Sequence, residues 1–382
     1  MNAPAAILAL AVAAAAGWAI HGLDDAAQPL AAAGRLSVQP GASPAQLAAL
    51  YSEALRGDVA NPYRWADLGD ALVLDNRPSQ AGYCFERALA LNRRLPQIWL
   101  RDANFHFETG TPAAALQSAV RVLLTVPDYD GVLFGYFDRM VGDPAVILAA
   151  LGGDPRASIS YARHLVAAGQ VAAARTAWNQ LRGRGLSDPS LTSDYLRLLL
   201  RNRLYAEARQ DWMQAAPGPV DPSNLLYNGS FETDPTGSPF DWRIEPSGQF
   251  RTTVDDKIAH DGRRSLHIRF LGNANVAYAN LTQLAVVSAG TYELQAWVRT
   301  QSITTNECPR IEVVDTESPS HFEIRTAPIC GSRDWSLVTQ RITVSAPAPL
   351  LAVRVLRAPS DKFDNKIAGD FWLDSVRLYR VP

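Results

Sequence analysis

The stretch "NLLYNGSFETDPTGSPFDW" at residues 224–242 divides the chain into two kinds of sequence. A short apolar run (Leu225, Leu226, Tyr227) meets Asn228-Gly229, then a Phe-Glu pair, a loop rich in Pro, Gly and Ser, and Trp242. Apolar runs broken by Asn-Gly and by Pro/Gly clusters are the punctuation of strands and turns. The stretch therefore predicts the first strand and first turn of an all-β domain over residues 224–382. Just before it, Pro217, Pro219 and Pro222 form a linker (217–223) that a helix cannot cross.

Downstream, apolar residues alternate with polar ones. "SLHIRF" sets Leu266, Ile268 and Phe270 on one face of a strand, and "TYELQAWVRT" does the same for Tyr292, Leu294, Ala296 and Val298. "SLVTQRITVSA", "LLAVRVLRA" and "FWLDSVRLYRV" supply further strands between turn residues. About 160 residues of this pattern predict a two-sheet sandwich of the jelly-roll type.

Upstream, residues 43–216 alternate helical patterns with short breaks and repeat at a fixed interval. Trp65 and Trp99, Tyr51 and Phe85, Ala54 and Ala88, Ala81 and Ala115, Ala174 and Ala208, and Trp178 and Trp212 are each 34 residues apart. Residues 128–154 lose the register, and Ala115 to Ala174 spans 59, so one copy is short or degenerate. A 34-residue helical period resembles the tetratricopeptide repeat. Trp65, Leu68, Gly69, Leu72, Ala81, Phe85 and Ala88 match that family's pattern. The resemblance implies stacked helix pairs, a solenoid with a groove for a protein or peptide partner. The tryptophans of the repeats are read as packing residues.

The bulk numbers bound the function. A chain of 382 residues holds two or three domains, and a net charge of −2 without a Lys/Arg block predicts no nucleic-acid partner. Residues 1–20 contain no charged side chain, which fits a secretory signal or a single membrane anchor, with a buried Ala-rich helix as the alternative. Residues 21–42 then read as a flexible spacer, and the remainder as periplasmic or otherwise extracytoplasmic. Cys308 and Cys330 fit that compartment as a disulfide, whereas Cys84 lies in a helical pattern as a buried apolar residue.

The C-terminal pattern, opening with Asn-Gly-Ser-Phe-Glu and closing with Trp-Leu-Asp-Ser-Val, resembles the carbohydrate-binding modules attached to xylanases and cellulases, within the galactose-binding-like group. The resemblance implies one structural calcium, with Glu232 and Asp374 as carboxylate ligands and backbone carbonyls from the "HDGRR" turn (260–264). The alternative is that these acids pair with arginines or cap turns. It also implies a polysaccharide or oligosaccharide ligand. Sugar binding needs an aromatic platform beside polar groups. Trp297 shares strand parity with Glu293, Gln295 and Arg299, which makes it the leading ring. Tyr278 and Phe322 are lesser ones, and Arg325 and Arg354 are further candidates for hydroxyls or acidic sugars. Trp242, Trp335 and Trp372 read as structural. Proven sugar binders of that group usually sit next to a hydrolase, and none is read in this sequence.

No G-x-S-x-G, H-E-x-x-H, phosphate loop or dinucleotide-binding glycine pattern is present, and the six histidines lack metal spacing. A glycosidase needs only two facing carboxylates, for which Asp255, Asp256, Glu312 and Asp315 are available. The expectation is nonetheless a non-enzyme: an exported, membrane-tethered adaptor gripping a protein with its repeats and a glycan with its sandwich, in envelope or exopolysaccharide assembly. A pure protein scaffold and a glycan-processing enzyme are the alternatives.

Overall fold

The computed structural model describes residues 27–344 and 350–382. The expected signal or anchor at 1–20 lies outside them. Among the described residues no helix is long and apolar enough to cross a membrane. The fold is the one expected: helical repeats, then two antiparallel sheets.

Helix α1 runs over residues 27–37. It is followed by α2 (Pro44–Gly57), α3 (Pro62–Leu74), α4 (Pro78–Leu91), α5 (Pro96–Glu108), α6 (Pro112–Thr125), α7 (Asp130–Met140), α8 (Pro144–Ala150), α9 (Pro155–Ala167), α10 (Val171–Gly183), α11 (Pro189–Arg201) and α12 (Tyr205–Ala215). Proline opens most of them, where its fixed φ suits the helix and its missing N–H costs nothing. The helix starts keep the 34-residue period: Pro62 and Pro96, Pro78 and Pro112, Pro155 and Pro189, Val171 and Tyr205. The degenerate copy is α7 and α8, the latter only 7 residues long.

The repeat is also chemical. Trp65 and Trp99 each donate Nε1–H to a backbone carbonyl six residues earlier, Val59 O and Arg93 O, both at 2.9 Å. These rings are half-buried staples of the inter-repeat turns, and Trp65 also packs against the helical core. Gly69 of α3 lets the Phe85 ring of α4 approach closely; a Cβ there would lie 2.9 Å from the ring. Part of the expected spacer at 21–42 is corrected: α1 is helical and buries Ala33 among Leu47, Leu55 and Leu72 of the following helices. Its apolar side chains have a core to join, so the segment folds instead of spacing.

The chain divides into two compact units between Asp188 and Pro189. Helices α11 and α12 keep the repeat period but belong with the strands, a boundary earlier than the Pro-rich linker at 217–223. Trp212 packs edge-on against Tyr227 at 4.8 Å and meets Phe240 at 6.0 Å. The Tyr205 hydroxyl donates to Glu317 Oε1 at 3.0 Å, and Arg203 reaches the same oxygen at 3.3 Å. Apolar and polar contacts together make the last hairpin part of the second unit.

The strands are β1 (Arg243–Ile244), β2 (Phe250–Asp255), β3 (Ser265–Leu271), β4 (Tyr278–Val286), β5 (Gly290–Ile303), β6 (Arg310–Asp315), β7 (Glu323–Arg325), β8 (Gly331–Val344), β9 (Leu350–Arg357) and β10 (Ala368–Val381). They form two five-stranded sheets, ordered β1-β4-β9-β6-β7 and β2-β3-β10-β5-β8. Leu266, Ile268, Phe270, Leu294, Ala296 and Val298 face the core between them, as the alternation predicts. Cys308 and Cys330 are joined in a disulfide (S–S 2.03 Å) across 22 residues, while Cys84 is free and buried.

One expected element is absent. Residues 225–227 form no strand. The segment instead lies beside β10, tied by Leu225 N–H to Leu378 O (2.8 Å) and by Val376 N–H to Gly229 O (2.9 Å). The Asn224 side chain fills the gaps, accepting from Leu226 and Leu378 N–H at 3.0 Å each. Asn228 (φ 50°) and Phe231 (φ 56°) turn the chain through left-handed conformations that a regular strand does not contain.

Candidate functional site

Strand alternation on β5 places Glu293, Gln295, Trp297 and Arg299 on the outer face of the second sheet. Register fixes their neighbours. Trp297 lies across from Asp374 of β10 and Leu337 of β8, Gln295 across from Arg377 and Thr339, and Glu293 across from Tyr379 and Arg341. The ladder between β5 and β10 slips between Asp374 and Arg377. A bulge of this kind bends a strand and re-aims its side chains. Beside it opens a cleft of about 420 Å³ lined by Trp297, Gln295, His260, Glu232, Leu337 and Arg377, among others. That volume lies within the range of small-ligand sites.

Inside the cleft, the His260 imidazole stacks on Trp297, centroids 3.7 Å apart and planes 14° apart. Trp335 meets the same imidazole edge-on at 5.7 Å. Leu337 adds an apolar surface that is 45% exposed. The His260 loop is pinned from below by Asp374, which has no exposed surface. Asp374 Oδ2 accepts the backbone N–H of His260 (2.7 Å) and of Asp261 (3.1 Å), and Oδ1 that of Ser375 (2.6 Å). Burial pushes the Asp374 carboxyl above its usual range, against the opposing pull of those amides.

Glu293 is held by Tyr379 Oη–H (2.7 Å) and by Gln295 Nε2–H (2.6 Å), and these two bonds, in that order, hold its carboxyl below the usual range. Arg299 reaches Asp334 at 3.6 Å and lies 5.8 Å from the Trp372 ring. Trp372 itself is buried, stacked on His267 at 4.6 Å, and donates to Asp255 Oδ2 at 2.9 Å. It is structural.

Glu232 and Asp374 converge on the "HDGRR" turn, but as acceptors of its amides. Glu232 Oε1 accepts Arg263 N–H (2.8 Å) and Arg264 N–H (3.1 Å), and Arg264 also donates to the Glu232 carbonyl (3.1 Å) and pairs with Asp234. Calcium needs several oxygens with free lone pairs. Here backbone amides donate to Glu232 Oε1 and to both Asp374 oxygens, and the Arg264 guanidinium takes the Glu232 carbonyl and Asp234, so in this structure both acids cap turns. Among the described residues no group of three His, Cys, Asp or Glu side chains is placed to hold a metal.

The expected six-residue glycan surface divides in two. Arg325 (β7) and Arg354 (β9) belong to the other sheet, where both clamp the buried Glu312 of β6, Arg325 at 2.7 Å. Arg325 also pairs with Glu323. The sequence showed their exposure but not their distance from Trp297 or their shared partner. Tyr278 is likewise corrected: it is 1% exposed, in the core, its hydroxyl paired with Thr252 at 3.0 Å. Phe322 packs against the core. Sequence reading missed His260, Leu337 and Arg377 and set Trp335 aside as structural. Strand parity would have found Leu337 and Arg377 but not the loop-borne His260.

Three of the four carboxylates considered for glycosidic chemistry lie on strands of different sheets, with Asp256 just after β2. Asp255 lies on β2, accepting from Trp372 and from the Lys257 and Ile258 amides, whereas Glu312 and Asp315 lie on β6 of the other sheet.

In the first unit, a cavity of about 580 Å³ is lined by Glu86, Arg93, Trp99, Arg121 and Thr125 with Leu89 and Ala90. Between α3 and α5, Arg101 bridges Asp70 (2.6 Å) and Asp67 (3.0 Å).

No known protein-family profile matches the chain. No curated protein matches its sequence. Solved structures do align. The enzymatically active domain of tailspike protein 4 from bacteriophage CBA120 aligns at 14% identity (TM-score 0.31) over 42% of this chain, which spans only 22% of that one. A family 16 carbohydrate-binding module aligns at 17% identity (TM-score 0.31) over 41% of this chain and 100% of the other. The first tetratricopeptide repeat domain of Spaghetti, bound to an HSP90 peptide, aligns at 18% identity (TM-score 0.28) over 34% of this chain and 98% of the other. At these scores nothing about ligand or activity passes from them to this chain.

Proposed function

We propose that the chain is a non-catalytic adaptor whose sandwich binds a glycan in the Trp297 cleft and whose repeats bind a protein. One observation carries the reading: an indole, an exposed leucine and an amide (Trp297, Leu337, Gln295) converge in a 420 Å³ cleft on a rigid sheet. A pyranose presents the same mixture, apolar C–H faces rimmed by hydroxyls. The separation of Asp255 from Glu312 and Asp315 supports a binding role over hydrolysis. The Cys308–Cys330 disulfide supports an exported protein, since such bonds persist in oxidising compartments. Membrane tethering through residues 1–20, and a place in envelope or exopolysaccharide assembly, complete the proposal.

Titration calorimetry of the full chain against polysaccharides, including the glycan its own host secretes, tests this. Saturable binding lost in Trp297→Ala, with the variant still folded by circular dichroism, is the expected result. No heat from any glycan would favour the scaffold reading. Product release from a glycan on prolonged incubation would favour an enzyme.

A further inference from the structure

We infer that His260 is the gate of the cleft: its imidazole occupies the slot between Trp297 and Trp335 that a neutral sugar ring takes when it binds. The inference rests on the glycan reading above and adds where the ring sits and what must leave.

The geometry supports this in three steps. First, a 3.7 Å, nearly parallel stack is a single layer of van der Waals contact, so nothing fits between imidazole and indole as they stand. That face of Trp297 is closed while His260 stays. Second, the imidazole is held only weakly. His260 is exposed, and its ring makes no hydrogen bond among the described residues; the Asp374 contact fixes only the backbone N–H, so the side chain is held by its two ring contacts. Side-chain rotation therefore opens the slot without moving the loop. Third, what remains after rotation is the ring-sized space the imidazole filled, bounded by the Trp297 face and by Trp335, whose ring lies 5.7 Å from the imidazole at 67°. Gln295 lines the same cleft and is available to hydroxyls. Asp221, Glu232, Asp261 and Arg377 also line it, so carboxylates outnumber the guanidinium. A uronic acid would meet like charge, which assigns the slot to neutral pyranoses.

The test uses the full chain with neutral hexasaccharides and an oligouronate as counter-probe, read by calorimetry. Displacing one aromatic contact should cost the wild type about 2- to 10-fold in affinity. His260→Ala should therefore bind the neutral ligand tighter by about that factor, and His260→Phe, which keeps a ring in the slot, should bind more weakly than wild type. The uronate should bind less well to all three. If wild type binds and His260→Ala binds equally or less well, His260 is a ligand contact or a bystander and the gate is overturned, while the glycan reading stands. If the uronate is preferred, the assignment to neutral sugars falls. If no folded variant binds any glycan, both the gate and the glycan reading fall.

Discussion

Gly229 lies against the backbone of Val376, so close that a Cβ at position 229 would sit 2.9 Å from the Val376 carbonyl carbon and nearer still to its oxygen. This contact answers what Asn-Gly does in the opening stretch. It is a place where one backbone passes over another at the β10 bulge, and only glycine has room. Gly229→Ala should destabilise the sandwich by roughly 3 kcal/mol, the upper end for overpacking. Gly248→Ala, where no atom lies within 4 Å of the added methyl, should be close to neutral. Scanning calorimetry of both variants checks the contrast.

The helical unit offers an opposite-signed pair. Alanine is favoured over glycine inside a helix by about 1 kcal/mol. Gly135 of α7 has open space where its Cβ would go, so Gly135→Ala should gain that amount. Gly69→Ala should instead lose about 1 kcal/mol net, because its methyl meets the fully buried Phe85 ring. Denaturant midpoints of the two variants should move in opposite directions.

Reduction should weaken the sandwich. The Cys308–Cys330 bond closes 22 residues, and a loop of that length is worth about 3 kcal/mol on the chain-entropy account. Cys308→Ser/Cys330→Ser should unfold at lower denaturant than the oxidised protein. Reductant should shift the wild type to the same midpoint and leave the double variant unchanged.

Stability should depend on pH through Glu312. Its burial pushes the carboxyl up, but the hydrogen bonds from Arg325 and Arg354 outweigh that and hold it below the ordinary 4.5. A depressed folded value means stability that is fully present above the unfolded value and lost as pH falls through the folded one. The wild type should therefore lose stability below about pH 4.5. Asp374 runs the other way, since its raised value favours the folded state in acid and costs stability once ionised. Comparing wild type with Glu312→Gln from pH 7 to pH 3 isolates the Glu312 part: the variant should be less stable at pH 7 and show a shallower acid slope. Parallel slopes would remove Glu312 from the account.

Much of the architecture was legible because it rests on period. The 34-residue interval of Trp65 and Trp99 carried through to helix starts and to matching indole hydrogen bonds. Alternation on β5 sorted Leu294 and Val298 inward and Trp297 outward. What alternation does not carry is which outward residues meet. Arg325 and Arg354 shared the polar parity of Trp297, yet the strand order put them on the other sheet around Glu312. Pairing order depends on long-range contacts that a local pattern does not encode.

The sequence by itself determined the two kinds of domain, the faces of the strands and the repeat length, because side-chain polarity must follow backbone period wherever one face is buried. The tertiary structure alone decided where the chain divides, which carboxylates stay free and what covers Trp297. Asp374 came to cap the His260 loop, and His260 to lie on the indole, through contacts spanning 114 residues and loop rotamers. No period in the chain records such contacts, because they are set only when distant backbones close around one another.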